Sequence, residues 1–497
     1  MMAQTMPNFL QKRAFLTPDR PAISYLDEQL TFKQLYERSY KTAEGLAAIG
    51  VKKGSFTGVL VKNSLNSAIF LYALQLLGAT AVMLNNRLSE AELSYQLNDA
   101  NADFLIYEAS FEDLAADAAS PIPNIKTFPL EELDSVEGAE CAIEEEVSLD
   151  AICTVMYTSG TTGNPKGVLQ TYGNHFWSAA GSALNLGLSL DDTWLCSVPV
   201  FHISGYSILM RSAIYGMHIV LHSHFDAKKS IEDIVEKKVT IMSVVGTTLA
   251  RIVDELGEGR LPETFRCMLL GGGPAPLPLL EACQSRNIPV YQTYGMTETA
   301  SQSVTLSPEY SLAKLGSAGK PLFPVSLKIQ LPNGKEAANG EEGEILLKGA
   351  NVTQGYLNKP KETAEKIIDG WLHTGDIGRL DEEGFLYVLD RRTDLIISGG
   401  ENIYPAEIES VLLSHPEVKD AGVAGVPDSK WGQAPAAFIV PREEHAPSIE
   451  ALRQFCLERL AKYKVPRDFY LATELPRNAS NKLLRRKLPD LIGERGQ

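Results

Sequence analysis

Residues 157–167 read YTSGTTGNPKG: seven of the eleven are small or hydroxylic, and Lys166 closes the run. The largely apolar residues 152–156 lead in and predict a buried strand. A Gly/Ser/Thr turn after a strand can aim several backbone N–H groups and hydroxyls at one anion, and the lysine adds a point charge suited to phosphate. The chemistry implied is the handling of a nucleoside triphosphate. The string is not a GxxxxGK[ST] loop, because Pro165 stands where that motif needs glycine.

Two more segments place chemistry after a strand. Residues 267–270 run into GGGPAP at 271–276, and 290–294 run into GMTE at 295–298. Glycine-containing turns at strand ends fit ligand binding at the carboxyl edge of a parallel sheet. Glu298 offers a hard oxygen donor for a hard cation. Arg211 interrupts an otherwise apolar helix, 208–214. A charge there either meets an anion, bidentately if a carboxylate, or snorkels to the surface; the residues alone leave both readings open.

The elements that must carry these turns alternate. Helices are expected at 32–49 and 66–77, with a stop at Gly78, and strands at 57–61, 79–84 and 104–107. The acidic stretch 131–146 reads as a surface connection. Strands follow at 194–199, 218–221 and 241–245, with a helix at 206–215. The alternation predicts an α/β fold with parallel sheet covered by helices. Beyond about 315, short strands at 327–331, 343–347 and 385–388 suggest a small β-rich unit. A helix at 405–413, strands at 421–426 and 436–440 and a helix at 449–460 then suggest a small α+β domain.

With 497 residues the chain has room for two to four domains. A net charge of −16 argues against nucleic acid or an anionic membrane as the main partner. The six cysteines show no metal-ligand spacing, so reduced, mostly buried thiols in a cytoplasmic protein are expected. No secretory signal or integral membrane segment is expected.

The phosphate string resembles that of the adenylate-forming superfamily, which takes in acyl- and aryl-CoA synthetases, luciferases and peptide-synthetase adenylation domains. Four further motifs resemble that superfamily in order: YGMTE at 294–298, TGD at 374–376 with Asp390 and Arg391, SGGENIYP at 398–405, and PRNASNK at 476–482. The resemblance implies a large N-terminal domain over 1–391 of helix-covered, mainly parallel sheets plus the β-rich unit. A hinge at 392–397 and a small, mobile α+β domain at 398–497 would follow. Family hinges often carry Asp or Lys; here Thr393 aligns, or Asp394 one residue on.

It also implies ATP, Mg²⁺ and CoA as cofactor and co-substrates. Thr158, Ser159, Gly160, Thr161, Thr162, Gly163 and Lys166 would surround the phosphates. Gly272, Gly273, Pro274, Ala275, Thr293, Tyr294, Gly295 and Met296 would receive the adenine side, and Thr297 the α-phosphate. Asp376 and Arg391 would bind the ribose, and Glu298 the Mg²⁺. Lys482 would stabilise the adenylation transition state, with Thr297, Glu298 and His202 beside the reaction. The loop Ser398, Gly399, Gly400 would serve thiolysis by CoA. His202, Ser204, Gly205, Arg211 and Gly271 would line the acid site.

Within the superfamily, residues 166–174, 201–205, 269–280 and 475–484 are similar to bacterial CoA ligases of menaquinone biosynthesis that act on 2-succinylbenzoate. That acid carries a second carboxylate on its ring, which the resemblance hands to Arg211. Other aryl- or medium-chain acyl-CoA synthetases, an enzyme loading a carrier protein, a non-catalytic binding protein and a luciferase-like oxygenase are the alternatives. Assembly into a homo-oligomer is left open.

Overall fold

The computed structural model describes residues 4–136, 141–158, 165–272, 275, 277–390, 396–403, 405–442, 447–476, 483 and 485–493. They form two compact units. One holds Met1–Asn86, Leu97–Met156 and Gly167–Leu389; the other holds Arg87–Gln96, Tyr157–Lys166 and Asp390–Gln497.

The first unit contains a six-stranded sheet in the order Lys166–Thr171, Ile152–Thr158, Thr80–Met83, Phe56–Leu60, Phe104–Tyr107, Lys126–Pro129. The last five pair in parallel. TAVM and FLIY are buried at every position, as expected for strands covered on both faces. Leu65–Leu77 is a helix capped by Ser64, whose hydroxyl accepts from Ser67 N at 3.1 Å. It stops at Gly78, which takes the left-handed conformation at φ 66°. No helix among the described residues is long and apolar enough to cross a membrane.

A nine-stranded sheet forms the second layer. Pro21–Tyr25, His218–Leu221, Thr193–Cys196, Ile241–Val245, Cys267–Gly271 and Val290–Met296 run parallel. Glu28–Thr31 closes one edge antiparallel; Ser301–Leu306 and Lys320–Pro321 close the other. The antiparallel return at Ser301–Leu306 was not among the expected strands, and it is what folds the 294–298 motif back on itself.

The acidic stretch differs from expectation. Leu130–Ser135 forms a 3₁₀ turn, and Leu130 and Leu133 are buried in the main core. Two leucines among the acids anchor the segment, so it is not only a surface connection.

The β-rich unit is an antiparallel sheet of Val325–Gln330, Gly343–Gly349, Trp371–Leu380, Ile367–Ile368 and Leu386–Asp390. Asp376 sits within Trp371–Leu380, where the pairing with Gly343–Gly349 shifts register. Thr374 Oγ1 donates to Ile345 O at 2.7 Å and accepts from Asp376 N at 3.0 Å, which fixes the aspartate's backbone.

The second unit has its own five-stranded sheet: Glu401–Ile403, Ile396–Ser398, Gly432–Pro441 and Val418–Asp428, with Asp468–Leu471 parallel to Gly432–Pro441. Helices Pro405–Leu413 and Ile449–Leu457 contribute Ile408, Leu412, Leu452 and Cys456 to its core. Buried Lys464 donates to Glu92 at 2.6 Å and to Glu407 at 2.7 Å. Burial pushes the Glu407 carboxyl up to about 7. All six cysteines are buried and unpaired, and burial lifts the thiols of Cys153 and Cys196 to about 12, which keeps them protonated and inert.

Candidate active site

The strand Val290–Met296 delivers the first group of expected residues. Its end is held tightly: a Cβ on Gly295 would collide with the carbonyl of Ser301, so only glycine allows the return strand to approach. Thr297–Thr299 follows as a 3₁₀ turn. Gln170 Nε2 donates to Thr297 O at 2.7 Å, and Asn351 Nδ2 to Thr299 O at 2.9 Å. Glu298 is half-buried; its carbonyl accepts from Thr353 N at 2.7 Å, and its Oε1 accepts from Tyr356 Oη at 3.0 Å. Thr293 Oγ1 is bound to Val304 O at 3.0 Å.

Tyr294 and Asp376 meet. The phenol donates to Asp376 Oδ2 at 2.7 Å, and both residues are buried. Beside them, Gln292 Oε1 accepts from Ala275 N at 2.9 Å, which anchors the turn after Cys267–Gly271. At that turn a Cβ on Gly271 would meet nothing nearer than Thr293 Cγ2 at 4.0 Å, leaving open space.

Thr158 and Lys166 end and begin the two strands that flank the phosphate string. Ser159, Gly160, Thr161, Thr162, Gly163, Gly273, Pro274, Arg391, Lys482 and the hinge residues Thr393 and Asp394 lie outside the described residues.

Four of the acid-site candidates, His202, Ser204, Gly205 and Arg211, sit on or before the helix Ile203–Tyr215. Half-buried His202 precedes it, with its ring 4.7 Å from that of Phe201. Ser204 is exposed and Gly205 buried. Arg211 is 1% exposed and does not snorkel to the surface. Its guanidinium lies 5.1 Å from the centroid of the Trp194 ring. Nη2 is 3.5 Å from Ser301 Oγ, Tyr215 bonds the side chain, and Nε has no partner among the described residues. No carboxylate among the described residues pairs with it. Desolvation by burial lowers its pKa. A buried cation without an anion is costly.

In the second unit, Ser398 ends the strand Ile396–Ser398. Gly399 and Gly400, at φ 57° and 88°, turn the chain into Glu401–Ile403. Gly399 N donates to Trp431 O at 3.0 Å, and a Cβ on Gly399 would press into the Trp431 ring.

The AMP-binding enzyme family matches residues 10–357, and the AMP-binding enzyme C-terminal domain matches residues 407–482. The chain belongs to the AMP-binding enzyme family. It is 57% identical to a 2-succinylbenzoate–CoA ligase of Geobacillus kaustophilus, with 98% of each chain covered. It is 53% identical to a 2-succinylbenzoate–CoA ligase of Bacillus anthracis, covering 99% of this chain and 100% of that one. A double mutant of o-succinylbenzoate CoA synthetase from Bacillus subtilis, bound to the product analogue OSB-NCoA, superposes with a TM-score of 0.93 at 50% identity over 98% of each chain. The same enzyme with ATP and magnesium ion gives 0.77 at 50% identity, over 98% of this chain and 100% of that one.

In this AMP-binding enzyme the sequence reading missed the groups that hold the expected residues. Tyr356 lies 58 residues from the Glu298 it grips, and no local pattern marks it. Gln170 sits inside a similar segment, but its tie to Thr297 depends on strand pairing.

Proposed function

We propose that this protein is an ATP-dependent, AMP-forming acid–thiol ligase that converts 2-succinylbenzoate to its CoA thioester, a step of menaquinone biosynthesis. The observation that carries the substrate is Arg211, buried and lacking a carboxylate partner among the described residues. The ring carboxylate supplies the missing anion, while the succinyl carboxylate is left to react. Family membership and the full-length identity to 2-succinylbenzoate–CoA ligases support the reaction.

In the first step an oxygen of the succinyl carboxylate attacks the α-phosphorus of ATP, and the bond to pyrophosphate breaks. Ser159, Thr161, Thr162 and Lys166 hold the β- and γ-phosphates, and Thr297 the α-phosphate. Asp376 and Arg391 hold the ribose, and Tyr294, by donating to Asp376, orients its carboxylate. Lys482 bridges the two reacting groups and stabilises the charge that develops between them.

The donor set fits Mg²⁺: one carboxylate, Glu298, held by Tyr356, with no cluster of three or more metal-binding side chains among the described residues. Mg²⁺ takes one or two carboxylates together with substrate phosphates and water. When bound, it neutralises phosphate charge. In the second step the CoA thiolate attacks the acyl carbonyl and AMP departs, with Ser398, Gly399 and Gly400 lining the approach. Six buried, unpaired thiols fit a cytoplasmic protein.

The test is pyrophosphate release and thioester formation with ATP, Mg²⁺, CoA and 2-succinylbenzoate, beside benzoate and octanoate. Turnover of the dicarboxylate far above the others is expected; turnover of benzoate or octanoate instead overturns the substrate.

A further inference from the structure

A chain of buried and partly buried hydrogen bonds runs from the neighbourhood of Arg211 to the Thr297 turn, through residues to which the reaction above gives no part. His175, on the helix Tyr172–Leu186, is 2% exposed. Its Nε2 lies 3.1 Å from Thr154 Oγ1, Thr154 Oγ1 lies 2.8 Å from Gln170 Oε1, and Gln170 Nε2 lies 2.7 Å from Thr297 O.

The direction of every bond follows from the last. A backbone carbonyl only accepts, so the Gln170 amide nitrogen faces Thr297 and its oxygen faces Thr154. Thr154 therefore spends its single proton on Gln170, and its oxygen accepts from His175 Nε2–H. The histidine is thus the neutral Nε2–H tautomer. Its Nδ1 is a bare acceptor with no partner among the described residues. Two causes keep the ring neutral: burial first, then the charge of Arg211, together bringing its pKa down to about 3. The ring also packs 5.1 Å from that of Tyr206, which shares the helix of Arg211. The ring thus links the Arg211 helix, through packing on Tyr206, to Thr297, through three one-way hydrogen bonds.

We propose that His175 is a positioning residue for adenylation: through Thr154 and Gln170 it holds the Thr297 turn at a set distance from the Arg211 helix, and so aligns the α-phosphate with the acid. This rests on the reading of Thr297 as an α-phosphate contact. Uniform binding of acid or ATP does not need the relay; in-line geometry in the transition state does.

The test is Thr154→Val, which keeps the volume and removes the hydroxyl, with Thr154→Ser as rescue. Expected for Thr154→Val is a fall in kcat of the adenylation half-reaction of about tenfold. KM for the acid stays within about twofold, a split typical of an interaction made only in the transition state. Thiolysis of supplied acyl-adenylate is unchanged, and Thr154→Ser recovers most of the rate. An unchanged kcat, a rise in KM alone, or equal loss in both half-reactions overturns the proposal. Should Thr154→Val not fold, Gln170→Met cuts the last bond and is read the same way. Thr297→Ala, run alongside, separates the two failures. If it cripples adenylation while the relay variants do not, the relay is wrong. If it leaves adenylation intact, the reading of Thr297 falls and the relay with it.

Discussion

The hydroxyl of Tyr294 donates to Oδ2 of Asp376 over 2.7 Å, joining residues 82 positions apart. One stands on the last parallel strand of the nine-stranded sheet, the other in the antiparallel β-rich sheet. The bond locks together two motifs that the sequence presents as separate. Tyr294→Phe leaves a buried carboxylate oxygen short of a donor, at a cost of about 1–3 kcal/mol. KM for ATP is expected to rise while KM for the acid does not. Steady-state kinetics with each substrate varied in turn would expose an error here as an unchanged KM for ATP.

Lys482→Ala separates the half-reactions. Loss of a charge aimed at the transition state costs adenylation about 10²–10³-fold, measured as pyrophosphate release. Conversion of supplied acyl-adenylate to thioester stays largely intact. Equal loss in both assays removes the role assigned to Lys482.

Most of the fold could be read from local pattern, and the exceptions share a cause. The helix expected at 66–77 is Leu65–Leu77 and ends at Gly78 as expected, because apolar run, cap and glycine are adjacent in sequence. Strands at 104–107, 218–221 and 241–245 appear with those bounds. Ser301–Leu306 escaped notice because SQSVTL lacks an apolar run; its burial comes from pairing with Val290–Met296. The candidate residues Thr297, Glu298 and Asp376 each belong to a motif legible in the sequence. The bonds that hold them, from Tyr356, Gln170 and Tyr294, act across the fold, and no local pattern announces those pairings. Arg211 is the converse case: its oddity was legible, but that it is buried rather than snorkelling is visible only in the fold.

A fully buried guanidinium without a carboxylate is a liability in the free protein. Arg211→Met should therefore raise the stability of the ligand-free protein by about 1–3 kcal/mol, while impairing use of the dicarboxylate. Urea unfolding without substrates measures the first effect. A clear loss of stability would mean that Arg211 serves the fold rather than a ligand.

Two buried histidines set an acid limit. Burial, then neighbouring cations, brings His175 down to about 3 and His218 down to about 4. The unfolded chain protonates both near the ordinary histidine value of 6.5, while the folded chain holds them neutral. Their stabilising contribution is therefore complete above pH 6.5 and is lost as pH falls toward 4 and 3. By pH 5 each accounts for about 2 kcal/mol of lost stability. Melting temperature recorded from pH 8 to 5 should fall below about 6.5, and less steeply in His175→Phe. The same slope in both proteins would refute the assignment of His175.

Arg211 is assigned the ring carboxylate of the substrate. The most direct measurement of this is kcat/KM for 2-succinylbenzoate and for 4-oxo-4-phenylbutanoate, the same acid without that carboxylate, in the natural protein and in Arg211→Ala. The account predicts that the natural protein prefers the dicarboxylate by about 30- to 1000-fold, equivalent to about 2–4 kcal/mol, and that Arg211→Ala erases the preference by losing only the dicarboxylate's advantage. A preference that survives in Arg211→Ala would place the ring carboxylate elsewhere and contradict the claim.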